Sequence, residues 1–120
     1  FFGDDSLRQW IASGAVVGMG TDSGTPMNFH TEALWREMKA FVDLGMTPQR
    51  AISAATRVNA RILGRADDLG TVEPGKLADI VVVKGDPLFN IMALGDVETV
   101  VKGGKVYKSP PGASKPTSDR

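Results

Sequence analysis

The sequence predicts an α/β front half followed by an all-β back half. The apolar run at 15–20 lacks polar alternation, as expected for a strand buried on both faces of a parallel sheet. Helical patterns flank this run on both sides. After residue 65 the pattern becomes extended, with a strong apolar strand at 79–84. We therefore expect a strand–loop–helix unit first and strands joined by turns second.

Four helices are predicted in the front half from apolar spacing and capping residues. They cover residues 4–12, from 30 or 31 to about 44, 49–55 and 57–63. In the first helix Leu7, Trp10 and Ile11 share one face. The third helix has the hydroxyl of Thr47 as its cap and Pro48 at its first position, the usual order at a helix start. The last two helices are expected to be short and separate.

The back half is predicted to contain three strands and a tail. The strands are expected at 79–84, 97–102 and 105–108. Between the last two, Gly103 and Gly104 supply the positive φ angles of a two-residue hairpin turn. The final residues are polar and rich in proline, and we expect them to be disordered. The predicted organisation therefore has three parts, at 1–65, 66–108 and 109–120.

Composition and charge exclude several classes of function. The chain has 120 residues, which fits one domain, and its 14 basic and 14 acidic residues give a formal net charge of zero. Nucleic-acid binding needs concentrated positive charge and is not expected. A membrane span is not expected either, because no apolar run approaches about 18 residues. With no cysteine and one histidine, His30, the chain has few ligands for a metal of its own.

The start of the chain indicates that it continues upstream in a longer protein. The sequence opens at Phe1 rather than at methionine, and no signal-like segment follows. We therefore expect the C-terminal part of a longer enzyme. The sequence leaves the compartment open, with the cytoplasm favoured.

Asp22 is the main candidate for a catalytic residue. It follows the predicted strand within Gly20-Thr21-Asp22-Ser23-Gly24. Active sites of barrels and open α/β sheets lie at the carboxyl ends of parallel strands. A carboxylate there can bind a cation or act as a general base toward a metal-bound water. The alternative is an aspartate in a turn, where this residue type is common.

The loop after Asp22 offers candidate substrate contacts. We assign Ser23, Gly24 and His30 to substrate binding, with His30 as a contact rather than a metal ligand. A single histidine near a helix start is more often a structural or surface residue, and the loop can also simply cross the mouth of a barrel. The pair Gly18 and Gly20 is no dinucleotide fingerprint, because the third glycine and an immediate helix are missing.

Several separated motifs resemble one known family. They are Gly20–Gly24, Gly45-Met46-Thr47-Pro48, Ala54–Ala60, Leu69–Val82 and Gly85-Asp86-Pro87-Leu88. Over about residues 5–107 the chain resembles the C-terminal part of the metal-dependent amidohydrolase superfamily. The similarity is to the branch that includes imidazolonepropionase-like enzymes, prolidases and dipeptidases.

This resemblance implies the fold and a role for Asp22. The segment 15–20 would be the eighth strand of a (β/α)8 TIM barrel, and 69–107 would be part of the small β-sandwich beside it. Asp22 matches the family's aspartate, which ligates a metal and moves a proton from the attacking water to the leaving group. The metal would be zinc, one or two ions. The family's other ligands, a His-x-His pair, a lysine or glutamate and two further histidines, have no match here, so this chain alone is not expected to bind it.

The resemblance leaves two interpretations of function. The first is part of a hydrolase acting on the carbon–nitrogen bond of an amide, cyclic amide or dipeptide-like substrate, inactive as an isolated fragment. The second is a non-catalytic structural domain whose sheet serves assembly. In both, a single barrel strand leaves Val16, Val17 and Ile80 in need of partners. We therefore expect a homo-oligomer or association with the missing barrel segments.

Overall fold

A computed structural model describes residues 4–24, 26 and 28–113. Its helices are α1 (Asp4–Ala12), α2 (Ala33–Asp43), α3 (Pro48–Ser53), a π-helix (Ala54–Val58), α4 (Asn59–Ile62) and a 3-10 helix (Ile91–Gly95). Its strands are β1 (Ile80–Val83), β2 (Val97–Lys102) and β3 (Lys105–Lys108). No described helix is long and apolar enough to cross a membrane. Of the predicted disordered tail, 114–120 lies outside the described residues.

The helices largely follow the sequence signals. The Oγ1 of Thr47 accepts a hydrogen bond from the backbone N–H of Arg50 at 3.2 Å, and Pro48 follows, so the predicted start of α3 is confirmed. The prediction that α3 and the helix at 57–63 are separate was wrong. The helical backbone continues through the π-helix into α4, and the Thr56 hydroxyl donates back to the carbonyl of Ile52 at 2.7 Å, within the same helical stretch.

Residues 15–20, predicted as a strand, form neither a helix nor a strand, and they take part in no β-ladder within the described part of the chain. We call them the extended segment after their predicted conformation. A strand needs neighbouring backbone, and the only described sheet lies elsewhere in the fold. The burial on both faces that is predicted for a parallel sheet is not seen within this chain. The side chain of Met19 is 8% exposed and lies in the core, whereas Val16 is 82% exposed.

The described sheet has three antiparallel strands in the order β1-β2-β3. The predicted hairpin is confirmed, because Gly103 and Gly104 have φ angles of +55° and +80°. The carboxylate of Asp79 joins β1 to this turn, accepting from the Gly103 N–H at 2.7 Å and from the Lys102 ammonium at 2.6 Å. The back half is therefore closed by local backbone geometry and one cross-strand carboxylate.

One apolar core joins the helices and reaches into the back half. It contains Ile11, Met19, Met38, Phe41, Met46, Ala51, Ala54 and Ile91. Most of these come from α1, α2 and the stretch that begins with α3. Ile91 belongs to the 3-10 helix between β1 and β2, so it connects the sheet region to the helical core. The same core holds the extended segment in place through Met19.

Candidate functional site

Asp22 lies two residues beyond the extended segment 15–20 and has an unusual backbone. Its φ is +47°, the one positive φ at a non-glycine position among the described residues. Left-handed backbone is uncommon outside glycine, and aspartate is one of the types that adopt it. The side chain is exposed, as a group that meets a substrate must be. This conformation fits both a catalytic carboxylate and an aspartate in a turn.

The loop after Asp22 is closed by hydrogen bonds around Asn28. The side-chain amide of Asn28 donates to the carbonyl of Thr21. The backbone carbonyl of Asn28 accepts from the Gly24 N–H at 3.0 Å. The hydroxyls of Thr21 and Ser23 are hydrogen-bonded at 2.8 Å. These contacts hold the backbone on both sides of Asp22 and fix the position of Ser23.

His30 packs against this loop rather than standing apart from it. A Cβ added at Gly24 would lie 3.3 Å from the Nε2 of His30, so the absence of a side chain there lets the imidazole approach. The φ of Gly24 is +104°, which also favours glycine. The structure therefore brings Gly24 and His30 together, next to Ser23. Their assignment to substrate binding stays a prediction.

Two residues that sequence reasoning missed hold the extended segment. The guanidinium of Arg50 donates to the carbonyls of Ile11 at 2.8 Å and Ala15 at 3.0 Å. The side chain of Asn59 accepts from the Met19 N–H at 3.0 Å and donates to the Met19 carbonyl at 2.8 Å. We call Arg50 and Asn59 the backbone clamp. Asn59 lies within a motif that carries the family resemblance, but nothing local in the sequence indicates a partner 40 residues away.

Gly18 permits the clamp to approach the segment. A Cβ at Gly18 would lie 2.5 Å from Asn59 Oδ1 and 2.5 Å from the Cδ1 of Ile62, both closer than real Cβ atoms come. At Gly20 an added Cβ would meet nothing within 4 Å. The two glycines therefore have different roles, although both lie in the same apolar run.

The donor set near Asp22 does not make a metal site by itself. A catalytic zinc ion takes three protein ligands and a water. Among the described residues no group of three or more histidine, aspartate or glutamate side chains lies together in a way that could hold a metal ion. Asp22 can be at most one ligand among several, so no step of a reaction is assigned to a metal on these residues.

A separate polar cleft of about 450 Å³ lies between the helical stretch 47–57 and the loop at Gly70. None of the predicted site residues lines it. The guanidinium of Arg50 at its edge is engaged by the clamp, and Arg57 donates to the hydroxyl of Ser53 at 3.1 Å. The cleft therefore adds no catalytic pair to the Asp22 loop.

Comparison with protein families and curated proteins gives consistent matches. The model of the amidohydrolase family matches residues 5–107. The chain is 40% identical over 103 residues to the imidazolonepropionase of Geobacillus kaustophilus (strain HTA426), covering 82% of this chain and 24% of that protein. It is 35% identical over 103 residues to that of Porphyromonas gingivalis (strain W83), with the same coverage. The chain thus spans about a quarter of the length of the curated relatives it matches.

Solved structures show the same similarity. A Xaa-Pro dipeptidase with methionine bound in its active site aligns with a TM-score of 0.81 and 37% identity, covering 88% of this chain and 25% of the other. Phenylurea hydrolase B aligns with a TM-score of 0.79 and 30% identity, covering 85% and 26%. The arrangement of helices, extended segment and sheet described above is therefore a recurring unit of larger proteins.

Proposed function

We propose that this chain, which belongs to the amidohydrolase family, forms the C-terminal part of a hydrolase acting on carbon–nitrogen bonds. The observation that carries this proposal is Asp22, an exposed carboxylate in left-handed backbone at the end of the extended segment. Strained backbone of this kind clusters at active sites. The proteins it resembles, an imidazolonepropionase, a dipeptidase and a phenylurea hydrolase, support the reaction class.

In this proposal Asp22 moves the proton of the reaction. Its carboxylate accepts a proton from the attacking water as oxygen adds to the carbonyl carbon, and returns it to the nitrogen as the carbon–nitrogen bond breaks. The water supplies both the hydroxyl and the proton, so the step is balanced. We further propose that Asp22 is one ligand of a divalent metal, zinc, whose remaining ligands lie outside these 120 residues.

The substrate in this proposal is an amide, a cyclic amide or a dipeptide-like molecule. Support for Ser23, Gly24 and His30 as its contacts is that Ser23 and Gly24 directly follow Asp22 in the chain and that His30 Nε2 approaches Gly24. The hydroxyl of Ser23 and the imidazole of His30 can both exchange hydrogen bonds with the polar atoms of such a substrate. Neither side chain is buried.

A second function is favoured by the apolar residues left uncovered in this chain. Val16 is 82% exposed, and Ile62 and Leu63 at the end of α4 are also exposed. Exposed apolar groups of this kind mark contact surfaces. A non-catalytic domain whose role is assembly, with a second copy or with further barrel segments, accounts for them without any chemistry at Asp22.

A chimeric enzyme separates the two functions. The matching quarter of the Geobacillus kaustophilus imidazolonepropionase is replaced by this chain, and hydrolysis is measured on cyclic amides, Xaa-Pro dipeptides and phenylureas. We expect activity on at least one class, and Asp22→Asn to lower the rate by about 10² to 10⁴-fold, the usual contribution of a general base. The matched control is Asp67→Asn, an exposed aspartate in a turn, which should not change the rate.

Each other result has a definite meaning. If Asp22→Asn is as active as the unmodified chimera, Asp22 is not the catalytic carboxylate and the proposal is wrong. If the chimera folds, contains metal and hydrolyses none of the three classes, the assembly function is favoured.

A further inference from the structure

We infer that Asn59 is a positioning residue for Asp22, and that the π-helix is the feature that lets one helical stretch hold the extended segment at two points. The inference deepens the proposed function, since its consequence for catalysis rests on the role of Asp22. It is carried by the clamp contacts, by the phase of the helix and by the backbone on either side of Asp22.

The contact between Asn59 and Met19 resembles one step of a β-ladder. One side-chain amide satisfies both the N–H and the C=O of Met19, at 3.0 and 2.8 Å. Met19 lies in the core, and a buried backbone group without a partner is costly. Because no described strand lies beside this segment, Asn59 supplies the hydrogen bonds that a neighbouring strand otherwise would.

Arg50 fixes the other end of the same segment. Its two terminal nitrogens reach the carbonyl of Ile11, at the end of α1, and that of Ala15, where the extended segment begins. Together with the contact at Met19, the segment is held at positions 15 and 19. The second of these lies three residues before Asp22.

The π-helix places Arg50 and Asn59 on compatible sides of the helical stretch. An α-helix turns about 100° per residue, so residues nine apart point about 180° away from each other. A π-turn takes one additional residue to complete a turn, which removes about 100° and leaves about 80° between them. Ala54–Val58, the π-helix, lies between the two clamp residues. Without it, one of the two side chains would face away from the extended segment.

The clamp explains how Asp22 keeps its strained backbone. A left-handed φ at a non-glycine residue persists only where the surrounding structure fixes it. Asn59 holds Met19 on the upstream side, and Asn28 holds the carbonyl of Thr21 immediately before Asp22. The backbone that carries Asp22 is therefore held on its upstream side at Met19 by Asn59 and at Thr21 by Asn28.

The test uses the 120-residue chain, amide hydrogen exchange and NMR chemical shifts, without metal or substrate. Asn59→Leu keeps a similar side-chain volume and removes both hydrogen bonds. We expect exchange of the Met19 amide to rise about tenfold or more, with shifts in the amide resonances of Asp22 and Ser23. The matched control is Asn90→Leu, which removes the cap on the Met92 N–H at 3.0 Å and should leave those resonances unchanged.

A second pair of variants tests the same contact from the other side. Gly18→Ala places a Cβ against Asn59 Oδ1, whereas Gly20→Ala meets nothing within 4 Å. We expect Gly18→Ala to reproduce the changes at Met19 and Asp22, and Gly20→Ala to leave the Met19 amide protected. Since neither glycine has a positive φ, the difference reports the collision with the clamp.

Two results would overturn the inference. One is an unchanged Met19 amide and unchanged Asp22 resonances in both Asn59→Leu and Gly18→Ala. The other is an equal response in Asn90→Leu, because a purely structural effect would not distinguish the two asparagines. If Asn59→Leu unfolds the chain, as seen from the loss of the β2 amide signals, the glycine pair decides. If the Asn59 and Gly18 variants give the expected changes at Met19 and Asp22 while Asp22→Asn leaves the chimera active, the proposed function is refuted and the positioning contact is not.

Discussion

Replacement of Gly70 by alanine tests how the back half is attached to the helices. Gly70 has a φ of +92°, and it lies where the loop after α4 returns across the helical stretch. A Cβ there would lie 2.6 Å from the Cβ of Ala60, 3.0 Å from the Cα of Arg57 and 3.1 Å from the carbonyl oxygen of Thr56. Two of these three atoms are helix backbone, which cannot turn aside as a flexible side chain can.

The expected loss of stability has two parts. Left-handed backbone at alanine costs about 1–2 kcal/mol, and overpacking against fixed neighbours costs about 1–3 kcal/mol. Gly70→Ala should therefore lower the free energy of unfolding by about 2–5 kcal/mol. Gly64→Ala is the matched control, because Gly64 has a φ of +67° and an added Cβ there meets nothing within 4 Å. It carries only the backbone part.

Urea unfolding of the 120-residue chain, followed by tryptophan fluorescence, measures both variants. The difference between their free energies of unfolding isolates the collision, about 1–3 kcal/mol, provided that the urea dependence is the same for both. If the two variants lose equal stability, the loop does not pack on α4 and the π-helix as described. The account of how the two halves join would then be wrong.

Two further predictions concern charged groups of the back half. Lys76→Met should lower the free energy of unfolding by about 1.5–3 kcal/mol, because the Lys76 side chain is 16% exposed and its ammonium donates to the Ala66 carbonyl and the Thr71 hydroxyl, both at 2.7 Å. In the same urea titration the control Lys84→Met, at an exposed lysine, should change that free energy by less than about 0.5 kcal/mol. Equal effects of the two substitutions would show that the Lys76 contacts do not stabilise the fold. The hydrogen bond from Lys102, followed by that from the Gly103 N–H, lowers the pKa of Asp79 below its usual 3.8. The ionised Asp79 carboxylate therefore stabilises the folded chain at pH values above 3.8, its usual pKa. This stabilisation is lost as the pH falls through the lower pKa of the folded state. Asp79→Asn should be less stable than the original chain at neutral pH, with a difference that disappears in acid unfolding titrations; a difference independent of pH would show that the carboxylate charge is not involved.

The helices and the hairpin could be predicted because their signals are local. The spacing of Leu7, Trp10 and Ile11 indicates α1, and the pair Thr47-Pro48 indicates the start of α3. Gly103 and Gly104 similarly indicate a turn that needs two positive φ angles. Each of these signals lies within a few residues of the structure that it specifies, so no knowledge of distant contacts was needed.

The environment of Asp22 could not be predicted in the same way. The segment 15–20 has the composition of a buried strand, but its observed partners are side chains 35 and 40 residues away, on Arg50 and Asn59. The π-helix was missed as well: Ala54–Val58 spans the position at which the sequence predicts a break between the helices at 49–55 and 57–63. Asp22 was predicted as the candidate catalytic residue from the pattern Gly-Thr-Asp-Ser-Gly, whereas no local pattern predicts its left-handed φ.

The clamp also determines where another strand could join the extended segment. In a strand the N–H and C=O of one residue point to the same edge, and successive residues point to opposite edges. Ala15 and Met19 are four residues apart, so they present the same edge, and Arg50 and Asn59 occupy it at these two positions. If this segment pairs as the predicted strand, the edge opposite to these two contacts carries the backbone groups of residues 16, 18 and 20. Both the hydrolase and the assembly domain accommodate a partner there, so pairing at that edge cannot distinguish them. Only a measurement on the Asp22 carboxylate can.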